Sequence, residues 1–165
     1  ITLKRLAHQL LANHVGLQDP VLIGIQPRGI FLSDRIVQEL KEMNLPARVQ
    51  YGKLDITFYR DDVRKELHKA NQTDIPFSIE NKQVILVDDV LYTGRTIRAA
   101  LDALLDFGRP AKVELCVLID RRFSRQLPIQ PDYIGKAIDS IISQKVKVFW
   151  KGKDGKDEVA LMEGA

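Results

Sequence analysis

Three short apolar runs, VLIGI (21–25), QVILVD (83–88) and VELCVLI (113–119), constrain the fold more than any other feature of the chain. None alternates apolar with polar residues, as a strand with one wet face does, so each must be covered on both sides. Segments with helical spacing lie between them. Leu3, Leu6, Ala7, Leu10 and Leu11 share one face of a helix over 3–13, and Ile30, Ile36, Val37 and Leu40 share one near 30–43. Ile97, Ala100, Leu101 and Leu104 do the same over 94–107. Buried strands alternating with helices make an α/β fold: a central, mostly parallel sheet flanked by helices. RVQYGKLDITFY (48–59) reads as a further strand, with Leu54, Ile56 and Phe58 alternating against Asp55 and Thr57. The tail KVKVFWKGKDGKDEVALM reads as two strands joined by a Lys-Asp-Gly turn. From Arg60 to about Asn81 no apolar period is sustained, and a long loop or arm is expected there.

The 165 residues suit a single domain spanning 1–165. With 45% hydrophobic and 28% charged residues, the composition is that of a globular chain and excludes fibrous and disordered classes. No apolar run approaches the roughly 20 residues of a membrane helix, and the first residues lack the plan of a secretory leader. The one cysteine, Cys116, sits in an apolar run and cannot form an internal disulfide. A cytoplasmic location without a membrane partner is expected. The net charge of +3 suits a phosphate-bearing ligand or RNA, yet an ordinary solvated surface carries as much.

In a parallel sheet, ligands bind beyond the carboxyl ends of the strands. That directs attention to residues 26–29, 60–81, 88–96 and from 120 onward. The richest of these is VILVDDVLYTGRTIRAAL (84–101), where a buried strand ends in two adjacent acids, Asp88 and Asp89. Thr93, Gly94, Arg95 and Thr96 follow at the start of a helix. Unpaired amides and partial positive charge at a helix start favour a phosphate. Gly94 permits close backbone approach, and the threonine hydroxyls add donors. The acids would repel that phosphate but suit neutral donors beside it, such as ribose hydroxyls, or a cation. A sugar phosphate with a diol, together with Mg²⁺, satisfies both halves. An N-capping Thr93 beside two solvated acids is the plainer alternative, and it accounts less well for the whole combination. No Walker loop and no G-x-G-x-x-G is present.

VILVDDVLYTGRT resembles the phosphoribosyl-pyrophosphate (PRPP) motif of type I phosphoribosyltransferases. With PRGI (27–30), LDITFYRDD (54–62) and LPIQPDYIGK (127–136), the chain resembles the PyrR family along nearly its whole length. These are bacterial uracil phosphoribosyltransferases that double as RNA-binding attenuators of pyrimidine genes. The resemblance implies the type I fold with a small hood and a flexible loop, and the reaction uracil plus PRPP giving UMP and pyrophosphate. It implies that Asp88 and Asp89 hold the ribose hydroxyls, near a Mg²⁺ bound mainly through PRPP. Tyr92, Thr93, Gly94, Arg95 and Thr96 would cradle the 5′-phosphate. Pro27, Arg28 and Gly29 would form the pyrophosphate loop, with Arg28 pairing phosphate oxygens, and a cis peptide is common in this loop. Arg60, on the flexible loop, would approach the pyrophosphate. Purine-salvage relatives carry an aspartate at the position of Tyr92, so its absence argues against purine substrates. Arg121, Tyr133 and Ile134 would line the base pocket, with Tyr133 stacking on the base; Tyr133 as a core aromatic is the competing reading.

The resemblance also implies RNA contacts at Lys4, Arg5, His8, Arg125 and Lys136, on a surface formed across a homodimer or higher homo-oligomer. Against this stand departures from the family pattern at Lys4, Ser124, Gln130 and Ala137. Two alternatives follow: a regulator with vestigial catalysis, or an enzyme that has lost its RNA. Ordinary surface charge explains the basic residues about as well.

Overall fold

The apolar runs become the interior strands of a five-stranded parallel sheet. A computed structural model describes residues 1–14, 20–43, 50–57, 73–139, 144–150 and 154–163. The sheet comprises β1 (Val21–Gln26), β2 (Gln50–Asp55), β3 (Gln83–Leu91), β4 (Lys112–Arg122) and β5 (Tyr133–Asp139). Their order is β2-β1-β3-β4-β5, and each neighbouring pair is parallel. The helices are α1 (Thr2–Asn13), α2 (Gly29–Glu42) and α3 (Arg95–Leu104).

Side chains along β3 alternate between two cores, which explains why the run had to be apolar throughout. Val84 and Leu86 pack with Ile97, Ala100 and Leu104 of α3. Ile85 and Val87 pack with Leu6 and Leu10 of α1 and with Leu32 and Ile36 of α2. Fully burying each leucine or isoleucine is worth about 1.5–3 kcal/mol, so a polar residue at any of these positions would unsettle one layer. The tail forms the expected antiparallel pair, β6 (Gln144–Phe149) and β7 (Glu158–Glu163). Val148 and Trp150 tuck into the core on the α1–α2 side.

The structure departs from the sequence-based expectation in three places. Of the expected strand over 48–59 only residues 50–57 are described, and among them regular strand covers Gln50–Asp55. Asp55 is buried rather than outward-facing, because its carboxylate accepts from the Thr57 amide (3.1 Å) and hydroxyl (2.6 Å). The expected arm is the second departure. Residues 58–72, including Phe58, Arg60, Asp61 and Asp62, lie outside the described residues, whereas 73–81 is irregular but docked. Asp74 bridges Lys53, Ile75 and Phe77 pack on the core, and Ile79 is fully buried. Ile75, Phe77 and Ile79 recur at every second position with exposed residues between them, the period of an extended segment. The run is short and Pro76 interrupts it, so pattern reading passed over it. Third, β5 was not anticipated as a strand. As the sheet's edge it shows mixed burial instead of a continuous apolar run.

Cys116 lies in the middle of β4 without solvent contact, and burial pushes its thiol up to about 12. Only the thiolate reacts. At pH 8 a disulfide reagent is therefore expected to label the folded protein at least roughly a hundredfold more slowly than the protein in denaturant. Equal rates would place Cys116 at the surface.

Candidate active site

β3 carries Asp88 and Asp89 to the carboxyl edge of the sheet, where both are buried. Each acid is fixed by the next amide in the chain. The Asp89 N–H donates to Asp88 Oδ1, and the Val90 N–H donates to Asp89 Oδ1, both at 2.8 Å. Such bonds hold the carboxylates in fixed orientations. Arg28 meets them from the start of α2. Its Nε lies 3.3 Å from Asp89 Oδ2, and its guanidinium also donates to the Val148 carbonyl at 2.7 Å. Asp89 thus meets a cation that the β6 backbone holds in place.

Gly29 explains how α2 comes so near. A Cβ there would fall 2.6 Å from the Val87 carbonyl oxygen and 3.1 Å from Asp88 Oδ1, so only glycine fits. The Gln26-Pro27 peptide is cis, which locates the cis bond of this loop.

After β3 the chain turns through Tyr92, Thr93 and Gly94 into α3. Gly94 has φ +95° and is the residue before the helix. The Thr93 hydroxyl accepts from the Arg95 amide at 3.3 Å. Asp88 and the run from Val90 to Ile97 line a pocket of about 230 Å³. It joins a helix start without acids in its first turn to one of the two aspartates. Beside it, the Arg121 guanidinium stacks 4.1 Å from the centre of the Tyr92 ring, and Arg121 is buried. A cation at that distance over an aromatic face is held in one orientation.

Asp88, Asp89, Arg28, Gly29, Arg121 and residues 92–96 therefore converge at the carboxyl end of the sheet. One expectation needs correction. Tyr133 stands at the start of β5, paired with Cys116, which is itself level with Val87, and it belongs to the core on the α1–α2 side. Its ring is buried and its hydroxyl donates to Glu114 (2.9 Å), which in turn holds His14 (2.9 Å), so it is the core aromatic of the competing reading. Ile134 follows it in the ladder, opposite Val117 and level with Asp88, and its carbonyl accepts from Arg5 at 3.3 Å. Asp120, Tyr92 and Ile129 engage the Arg125 guanidinium, and little of it is exposed. Lys4, Arg5, His8 and Lys136 are exposed where α1 meets β5, and Arg5 also donates to the Gly135 carbonyl. Sequence reasoning missed Asp120, Gln126, Leu127 and Ile129 beside the turn. Leu127 and Ile129 lie in the LPIQPDYIGK stretch, but nothing local ties any of the four to the turn, because they meet it only through the fold.

Among the described residues, no group of three His, Cys, Asp or Glu side chains converges on one point. Asp88 and Asp89 offer oxygen atoms only, a donor set that suits Mg²⁺ when phosphates supply the remaining oxygens.

Residues 1–151 match the family model of the phosphoribosyl transferase domain. The bifunctional protein pyrR of Enterococcus faecalis is 47% identical over 163 residues, covering 98% of this chain and 90% of that protein. The chain belongs to the PyrR family. A second PyrR, from Chloroflexus aurantiacus, is 46% identical over 165 residues, covering 99% of this chain and 90% of its own. The fold extends to more distant proteins. A hypoxanthine phosphoribosyltransferase from Trypanosoma cruzi superposes with a TM-score of 0.68 at 19% identity, covering 98% of this chain and 84% of that one. The chain is thus a PyrR-family phosphoribosyltransferase with the type I fold.

Gly94→Ala tests the turn. An added Cβ would meet Leu127 and Ile129 at 3.4 Å, which is tolerable, so the cost is conformational. A loss of about 1–2 kcal/mol in urea denaturation is expected. An unchanged midpoint would show that residue 94 does not adopt positive φ.

Proposed function

We propose that this chain transfers the 5-phosphoribosyl group of PRPP to N1 of uracil, giving UMP and pyrophosphate. The observation that carries this is the β3–α3 turn, where buried paired aspartates adjoin a glycine-opened helix start. An anion and a diol, joined in one sugar phosphate, fit those two features side by side.

Amides and hydroxyls of Thr93 to Thr96 receive the 5′-phosphate, and Asp88 and Asp89 accept from the ribose hydroxyls. As the bond from C1′ to pyrophosphate oxygen breaks, positive charge develops on the ribose. The fixed carboxylates favour it without having to reorient. The N1–C1′ bond forms as uracil gives up its N1 proton. Arg28, with Pro27 and Gly29, faces the departing pyrophosphate, where a planar guanidinium matches phosphate oxygens. Arg60, assigned to the pyrophosphate by the family resemblance, lies outside the described residues. Mg²⁺, bound mainly through PRPP with Asp88 and Asp89 nearby, would neutralise charge on the leaving group. Arg121, stacked on Tyr92, lines the base side. Tyr92 offers no carboxylate to a purine ring.

A second role rests on a different observation. Lys4, Arg5, His8 and Lys136 stand exposed along one edge, the kind of cationic strip that grips RNA phosphates beside unpaired bases. The chain then binds a messenger leader in response to UMP, as a cytoplasmic homodimer or higher homo-oligomer. No helix among the described residues is long and apolar enough to cross a membrane.

PRPP consumption assayed in parallel with uracil, hypoxanthine, guanine and orotate is expected only with uracil; turnover with a purine would overturn the base assignment. Asp89→Asn is expected to lower kcat roughly a hundredfold. An unaltered rate would remove Asp89 from the chemistry. In gel shifts with a pyrimidine-operon leader, UMP is expected to tighten binding, and indifference to UMP would remove the regulatory role.

A further inference from the structure

The β3–α3 turn is supported from outside by one short segment, residues 125–129. Arg125 reaches three separate elements at once. Its Nη1 donates to the Tyr92 carbonyl (2.7 Å), its Nη2 to Asp120 Oδ1 (2.6 Å), and its Nε to the Ile129 carbonyl (2.8 Å). The amides of Gln126 and Leu127 donate to the Thr93 carbonyl, at 2.9 and 3.2 Å. Arg95 Nε donates to Gln126 Oε1 at 2.8 Å, and the side chains of Leu127 and Ile129 wall the space beside Gly94.

We propose that Arg125 is a positioning residue for the phosphate seat, holding the turn at Tyr92–Thr93 so that the next amides face an incoming phosphate. The physical link is the planarity of the peptide unit. In a trans peptide the C=O and the following N–H point in opposite directions. Segment 125–127 holds the carbonyls of Tyr92 and Thr93, so the N–H groups of Thr93 and Gly94 are turned away from that segment. Preorganised amides bind an anion without first losing freedom. Arg125 also answers the buried carboxylate of Asp120, which would otherwise stand as an uncompensated negative charge near the anion. A planar guanidinium spans three acceptors in fixed directions, whereas an ammonium does not.

This inference rests on the phosphoribosyl-transfer reading, and the test separates the two. Binding of UMP and of uridine, which lacks the phosphate, is measured by calorimetry for the full chain and for Arg125→Ala. PRPP kinetics and thermal midpoints accompany both. The expected result is a rise of roughly tenfold or more in the Kd of UMP and the KM of PRPP, as loss of an anchoring hydrogen-bond network implies. Uridine binding and kcat should change by less than about threefold, because the lost interaction acts equally in ground and transition states. Parallel losses for UMP and uridine would mean a merely structural role and overturn the proposal, as would unchanged affinity for both. If Arg125→Ala does not fold, Arg125→Lys keeps the charge beside Asp120 while losing the three-way reach. The same phosphate-selective loss is then expected, at a smaller factor, and equal loss for both ligands overturns it. Should the unaltered chain bind UMP no better than uridine, the phosphate seat itself falls, and with it the phosphoribosyl-transfer reading.

Discussion

Asp88 and Asp89 are like charges on neighbouring residues, both largely withdrawn from water, and the structure around them is arranged to make that tenable. Each carboxylate takes the following amide, and Arg28 approaches from another element. For Arg28 to arrive, α2 must begin hard against the end of β3, and that requires glycine at position 29. For β3 to end there, its preceding residues must be apolar on both sides, which demands helices on both faces. The double-layered fold and the identity of Gly29 both follow from one electrostatic demand.

The two ends of the sheet have different duties. Toward the amino end, His14 and Glu114 form with the Tyr133 hydroxyl a buried polar knot that fastens α1 to β4 and β5. Desolvation, together with Glu114, raises the Tyr133 hydroxyl to about 12 and keeps it a donor. At the carboxyl end, polar groups are aimed at a pocket. The same sheet can be rigid at one end and receptive at the other because its interior strands are packed on both faces between them.

The layered fold and the β3–α3 turn were legible because their signals are local. A continuous apolar run states burial on both faces, and two acids followed by Thr-Gly-Arg-Thr state a turn into a helix. Tyr133 misled for the converse reason. PDYIG looks like a loop beside a site, and only the unrecognised edge strand shows that its tyrosine turns into the core on the α1–α2 side. Arg125 was similarly ambiguous, since its acceptors on Asp120, Tyr92 and Ile129 are assembled by tertiary contact. Ile75, Phe77 and Ile79 follow the two-residue period of an extended segment, but three apolar positions around Pro76 make too short a run to stand out from the polar stretch before them.

Both margins of the sheet are partly engaged by the chain itself. On β2, Lys53 exchanges two backbone hydrogen bonds with Asp74. On β5, Arg5 occupies the carbonyls of Ile134 and Gly135. Unpaired margins are where sheets recruit foreign strands and grow into fibrous aggregates. With each margin engaged by its own chain, copies of this protein that meet at high concentration are steered away from end-on strand joining, and encounters between them fall to helical and hairpin surfaces.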